Sequence, residues 1–219
     1  MAEKKLRIAV EGSGSISALR TDPAKRGPWT LAYAPGASAD LRDPFGAYAA
    51  RELAARGISV VRFQFPYKEA GRSAPDRPPV LEATWRAVID TVREPRRKLC
   101  VGGRSMGGRI ASMVAADGSP VDAVCLFAYP LHPPGKPENA RVEHLPRLKV
   151  PTVFISGTND AFGSPDELRT AARKVRGSKI HLLDGADHGF SVKKSTGRTR
   201  EDVWAEAVTA FTDWLLALR

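Results

Sequence analysis

The sequence predicts an α/β protein, with a mostly parallel central sheet and helices on both of its faces. Three observations lead there. Short β-branched apolar runs alternate with amphipathic helical stretches along nearly the whole chain, and parallel neighbours need such crossovers. The run 121–128 (VDAVCLFA) is almost wholly apolar, the pattern of a strand covered on both faces. The length, 219 residues, suits one domain with a substantial core. No internal repeat, low-complexity tract or linker interrupts residues 1–219, so a single domain is expected.

The elements follow in order. Residues 6–10 form a first strand, closed by the turn Gly12-Ser13-Gly14-Ser15, and 16–20 a second, weaker one. Residues 30–34 form a third, ending at Pro35-Gly36. A helical pattern over 44–56 stops at Gly57. The strand 58–65 (ISVVRFQF) ends at Pro66, and 67–79, rich in proline, glycine and charge, reads as a surface loop. Residues 80–93 place Leu81, Trp85, Val88 and Val92 on one helical face. A strand at 98–102, a helix at 106–116 and the strand at 121–128 come next. Residues 129–149 hold five prolines and read as a long ordered loop with room for a turn of helix. A strand at 153–156, a helix at 165–175, a strand at 179–183 and a closing helix at 201–218 complete the chain.

Composition narrows the function classes. Hydrophobic residues are 42% and charged residues 26%, ordinary for a globular protein, and no run approaches the roughly 18 apolar residues of a membrane helix. The first ten residues turn apolar only at Ile8, Ala9 and Val10, too briefly for a secretory signal, so a cytoplasmic protein with no membrane partner is expected. Cys100 and Cys125 alone make neither a disulfide framework nor a four-ligand zinc site and read as core residues. Lys plus Arg is 34 against 24 for Asp plus Glu, a net charge of +10. The basic residues are spread along the chain. The densest stretch, 193–200 (KKSTGRTR), has no interleaved aromatics, so a solvated basic surface is preferred to a nucleic-acid site.

The chemistry gathers around Gly103-Arg104-Ser105-Met106-Gly107, a G-x-S-x-G directly between a strand and a helix. In that context the serine sits on a sharp, strained turn that lifts its oxygen above the sheet. A hydroxyl is a poor nucleophile until a base takes its proton and an acid orients the base. Downstream, the strand at 153–156 runs into Gly157-Thr158-Asn159-Asp160, and the strand at 179–183 into Asp184-Gly185-Ala186-Asp187-His188-Gly189. Ser105, Asp160 and His188 therefore fall in the order nucleophile, acid, base, each at the carboxyl end of a strand.

The competitors are weaker. His181 lies inside a strand, His144 is expected to be exposed in the proline-rich loop, and His132 leaves the end of a central strand and could overhang the site. Among the acids, Asp160 is preferred to Asp187, which shapes a turn, to Asp184, and to Asp166, which belongs in the first turn of a helix. The oxyanion calls for backbone N–H groups from Met106 and from the loop after the third strand. Pro35 has no N–H, so Gly36 or Ala37 supplies the second; Ala37 is preferred.

These motifs resemble a known family. GGRSMGGR, APGAS, RFQFPY, AYPLHPPGKPE, SGTNDAFGSPDEL and DGADHGF are similar to the small lidless α/β-hydrolases of the dienelactone-hydrolase-like type. That type is related to the hydrolase-like domain of a nuclear histone-acetyltransferase complex subunit and to a testis-expressed relative. The resemblance runs from residue 28 to the end of the chain. It implies an α/β-hydrolase fold without a cap domain, with Ser105 as nucleophile, Asp160 as acid and His188 as base. It also points to 65–67 and 130–136 as loops around the site, hence to Tyr67 and His132 as substrate-binding candidates. The chain departs from the family at Pro35-Gly36, where His-Gly is usual. Authentic dienelactone hydrolases use cysteine where this chain has Ser105, so their substrate is not carried over.

The expected function is a serine hydrolase of small-molecule carboxylic esters or thioesters, needing no cofactor or metal. A hydrolase-like scaffold that binds a protein partner is the alternative; Pro35 favours it and the intact Ser, Asp and His oppose it. Arg104, Arg109 and Lys136 could bring an anionic substrate to the site, although Arg104, inside the turn, reads first as a structural ion-pairing residue.

Overall fold

Alternation of β-branched runs with amphipathic helices produces one eight-stranded sheet in the computed structural model, which describes residues 3–218. The strands are β1 (Glu3–Val10), β2 (Gly14–Thr21), β3 (Trp29–Ala34), β4 (Ser59–Phe63), β5 (Lys98–Arg104), β6 (Ala123–Phe127), β7 (Thr152–Gly157) and β8 (Lys179–Leu183). The helices are α1 (Pro44–Ala55), α2 (Pro66–Glu69), α3 (Pro78–Val92), α4 (Met106–Ala116), α5 (Pro165–Ala172) and α6 (Arg200–Ala217). The sheet order is β1-β2-β4-β3-β5-β6-β7-β8. The β1–β2 hairpin and the β2–β4 pair are antiparallel, and the other ladders are parallel. This is the α/β-hydrolase architecture.

The two-residue period of the strands sends alternate side chains to opposite faces. In β6, Val124 and Leu126 pack on one side with Trp85, Val88 and Val114 of α3 and α4. Ala123, Cys125 and Phe127 pack on the other with Leu53, Val208 and Phe211 of α1 and α6. Both faces of the central strands are dry, which explains their nearly continuous apolar sequence. Both cysteines are free and buried here. No described helix is long and apolar enough to cross a membrane.

The order of the strands decides where a site can form. From β3 the chain crosses through α1 to β4 on one side, then returns through α3 to β5 on the other side of β3. The connections leaving β3 and β5 thus part in opposite directions and open a crevice at their carboxyl ends.

Three local features differ from expectation. The segment 67–79 is not all loop, because Pro66 opens the single helical turn α2, whose Tyr67 is buried. The weak second strand is a full eight residues, held by pairing with β1 along its length. The loop 129–149 contains two 3-10 turns, Pro137–Asn139 and Leu145–Arg147. Leu145 and Leu148 anchor it in the core, so His144 is buried rather than exposed.

Candidate active site

Ser105 lies between the last residue of β5 and the first of α4, with φ 52° and ψ −121°. That conformation is costly for a residue with a Cβ, about 1–3 kcal/mol. It is held from both sides: the Ser105 N–H donates to the Phe127 carbonyl at 2.9 Å, and its carbonyl accepts from the Arg109 N–H at 3.0 Å. The flanking glycines are required by contact. A Cβ on Gly103 would lie 2.1 Å from the Ala34 carbonyl oxygen, and one on Gly107 2.4 Å from the same oxygen. Only glycine lets α4 start this close to the end of β3.

Two further strand ends bring the partners. Beyond β7, Asp160 turns its carboxylate inward, leaving its side chain 1% exposed, and Oδ1 accepts from the Phe162 N–H at 2.8 Å. Beyond β8, Asp187 closes the turn by accepting from the N–H groups of Gly189 and Ser191, both at 2.8 Å. That turn carries His188. Its Nδ1 lies 2.8 Å from Asp160 Oδ2 and 3.0 Å from Oδ1. Its Nε2 lies 2.9 Å from Ser105 Oγ. With the carboxylate accepting from Nδ1–H, Nε2 is free to accept the serine proton. The Phe162 ring stacks on the imidazole, centroids 4.0 Å apart and planes at 26°.

The oxyanion candidates face the same crevice. Met106 is the first residue of α4, so its N–H has no intrahelical acceptor and lies at the positive end of the helix. Gly36 stands beside Ser105, its Cβ position 3.6 Å from the serine Cβ. The next peptide is fixed from behind: Tyr67 Oη donates to the Ala37 carbonyl at 2.7 Å. Burial, with Asp76 nearby, pushes the Tyr67 phenol up to about 12, so it stays a donor at neutral pH. Ser105, His188, Met106, Ala37, Arg109 and Arg141 are among the residues lining an open cleft of about 450 Å³.

Not every candidate reaches this cleft. Tyr67 does not line it, because its ring is buried behind the Ala37 loop. His132 does not line it either. It sits in a neighbouring depression against α5, with Nδ1 2.8 Å from the Pro133 carbonyl and Nε2 3.4 Å from Glu167. Its backbone N–H donates to the Phe162 carbonyl at 3.0 Å, bracing the residue stacked on His188. Arg104 does line the cleft, with Nη1 4.0 Å from the buried Asp43 carboxylate. Lys136 is exposed outside it. His181 pairs with Glu206 at 2.8 Å, and Asp166 pairs with Arg169 at 2.7 Å in the first turn of α5. Asp184 lies near Thr158 Oγ1, away from the imidazole.

Several cleft residues escaped the sequence reading, Phe162 and Arg141 among them. Phe162 lies two positions beyond Asp160, and that spacing on a strand-end loop was the available signal. Arg141 carries no local signal, because the fold of the 129–149 loop alone brings it in. Among the described residues no three His, Cys, Asp or Glu side chains gather as a metal site.

The model of the α/β-hydrolase domain matches residues 28–216. The chain belongs to the α/β-hydrolase family. Solved structures agree with it in fold. The dienelactone hydrolase of Anabaena variabilis is 19% identical, with 97% of each chain covered and a TM-score of 0.74. A lidless α/β serine hydrolase from Xanthomonas campestris is 18% identical over 98% of this chain and 95% of the other, with a TM-score of 0.75. An α/β serine hydrolase homologue from Coxiella burnetii is 17% identical over 96% and 98%, with a TM-score of 0.76. A relationship to a histone-acetyltransferase subunit is not among these findings.

Proposed function

We propose that this α/β-hydrolase cleaves carboxylic esters, thioesters included, through a covalent acyl-enzyme on Ser105. The observation that carries the reading is the continuous relay from Ser105 Oγ to His188 Nε2 at 2.9 Å and from His188 Nδ1 to Asp160 at 2.8 Å. It stands on a strained strand-to-helix turn at the crevice between β3 and β5.

The Ser105 oxygen attacks the carbonyl carbon while its proton passes to His188 Nε2. Asp160 holds the ring orientation and stabilises the imidazolium. The N–H groups of Met106 and Ala37 take the negative charge of the tetrahedral intermediate, and their fixed placement spares reorganisation during reaction. The intermediate collapses, and the leaving oxygen or sulfur takes the proton from Nε2. Water then gives a proton to His188 and attacks the acyl carbon. The second intermediate releases the acid, and Nε2 returns the proton to Ser105. An open cleft with no cap over it supports small or loosely gripped esters as substrates.

Treatment with a small fluorophosphonate followed by intact-mass measurement tests this. One adduct per chain is expected on the wild type, none on Ser105→Ala, and strongly slowed labelling on His188→Ala. A folded wild type that takes no adduct overturns the reading.

A further inference from the structure

The cleft holds more positive charge than the hydrolytic reaction uses. Arg104, Arg109 and Arg141 all line it, but they are not equivalent. Arg104 faces the buried Asp43 carboxylate at 4.0 Å. Arg109 and Arg141 have no carboxylate within ion-pair distance among the described residues. Arg109 Nη1 reaches only the Met113 sulfur, at 3.4 Å, and Arg141 Nη1 only the Pro130 carbonyl, at 3.2 Å. A guanidinium has five N–H donors, so most of each fork is left for another acceptor. Asp76, an acid on the cleft wall, already accepts from the Tyr67 N–H and from Arg72. Glu82, the acid on α3 that faces Arg109, is paired with Arg86 at 3.1 Å.

The two guanidiniums also repel one another. Burial first, and then the Arg141 charge, pull the Arg109 pKa below its ordinary value. Two partly buried like charges are unfavourable unless something neutralises them. Both are nevertheless held from fixed backbone. Arg109 is one turn into α4 from Ser105, its N–H bonded to the serine carbonyl. Arg141 is pinned where its N–H donates to the Leu131 carbonyl at 2.7 Å and its carbonyl accepts from Tyr129 Oη at 2.6 Å. Such an arrangement is prepared to receive an anion.

Building on the hydrolase reading above, we infer that Arg109 and Arg141 bind an anionic oxygen group, a carboxylate in its simplest form, at the end of the substrate remote from the scissile ester. Arg109 follows Ser105 by four positions, a backbone rise of roughly 6 Å along the axis, and both side chains line the same cleft. An anion a few bonds from the reacting carbonyl fits that spacing.

The test compares matched ester pairs differing only in charge. The 4-nitrophenyl monoester of glutaric acid and its methyl ester place the anion on the acyl side. 4-Acetoxybenzoate and its methyl ester place it on the leaving side. In the wild type, kcat/KM for the charged member of at least one pair exceeds its neutral partner by about tenfold or more, the scale of one good charge-assisted contact. The preference shrinks with added sodium chloride. It falls towards one in Arg109→Gln/Arg141→Gln and is partly kept in Arg109→Lys/Arg141→Lys. Equal rates within both wild-type pairs, or a preference unchanged in the glutamine variant, overturn the assignment.

Binding of glutarate against dimethyl glutarate, followed by NMR titration of wild type and Ser105→Ala, separates this inference from the hydrolase reading. Fluorophosphonate labelling without any preference for the dianion sinks the anion site alone. Preferential glutarate binding without labelling sinks the hydrolase reading alone and leaves the anion site standing.

Discussion

The molecule contains two serine–histidine pairs of nearly equal length. His188 Nε2 lies 2.9 Å from Ser105 Oγ, and His144 Nε2 lies 2.7 Å from Ser112 Oγ. Their third partners differ. Asp160 accepts from His188 Nδ1–H, leaving Nε2 as the acceptor of the serine proton. At the other pair, Ser112 spends its own hydroxyl proton on the Arg109 carbonyl at 2.7 Å, so His144 must donate from Nε2. Burial, followed by the charges of Arg109 and Arg147, lowers the His144 pKa to about 4. Ser112 is fully buried in the middle of α4, whereas Ser105 opens onto the cleft. A short contact between these side chains does not define a nucleophile. The direction of the proton does, and the neighbours of the imidazole set that direction.

The largest effect expected from breaking this contrast is at the serines. Ser105→Ala should lower kcat/KM for a 4-nitrophenyl ester by about 10⁴- to 10⁶-fold, and Ser112→Ala should leave that rate within assay error. A comparable loss in both variants would erase the distinction. Next comes Asp160→Asn, which forces the wrong imidazole tautomer; kcat should drop by about 10³- to 10⁴-fold with little change in KM.

The inner pair should instead be visible in stability. The His144 pKa is lower folded than unfolded, so the unfolded chain takes up the extra proton as pH falls from about 6.5 to about 4. Stability is therefore complete above that window, is lost through it and is constant below it. The loss attributable to this residue is about 3 kcal/mol. Urea midpoints measured across the window should show a shallower decline in His144→Gln than in the wild type. An identical pH profile in the two proteins would rule out the buried neutral histidine. The smallest effect is expected at Phe162→Leu, where loss of the ring stacked on His188 should lower kcat by roughly three- to tenfold and leave the thermal midpoint nearly unchanged.

Much of this arrangement could be read from local signals. The helix at 106–116 and the strand at 179–183 agree with α4 and β8 to the residue. Their strand-end positions in the sequence group Ser105, Asp160 and His188, and the structure holds the three within hydrogen-bond distance. Signals failed where tertiary packing overrides composition. His144 lies among prolines, but Leu145 and Leu148 pull its loop onto α4. Tyr67 follows a plausible loop motif, yet its ring fills the core and only its hydroxyl acts, on the Ala37 carbonyl. His132 leaves β6 towards the site and then turns aside to α5. Each case depended on which side of a loop faces the core, and residue order does not encode that locally.

The strained backbone of Ser105 has a consequence for how the chain would change under selection. A residue with a Cβ at φ 52°, ψ −121° is retained against its own conformational preference, whereas glycine accepts positive φ readily. The position of the proposed nucleophile is therefore one of the few places where giving up function relaxes the fold. A population of variants sorted for heat resistance alone, with no demand on turnover, should drift to glycine at position 105 early. Sorting the same population for turnover should hold the serine and accumulate its stabilising changes elsewhere.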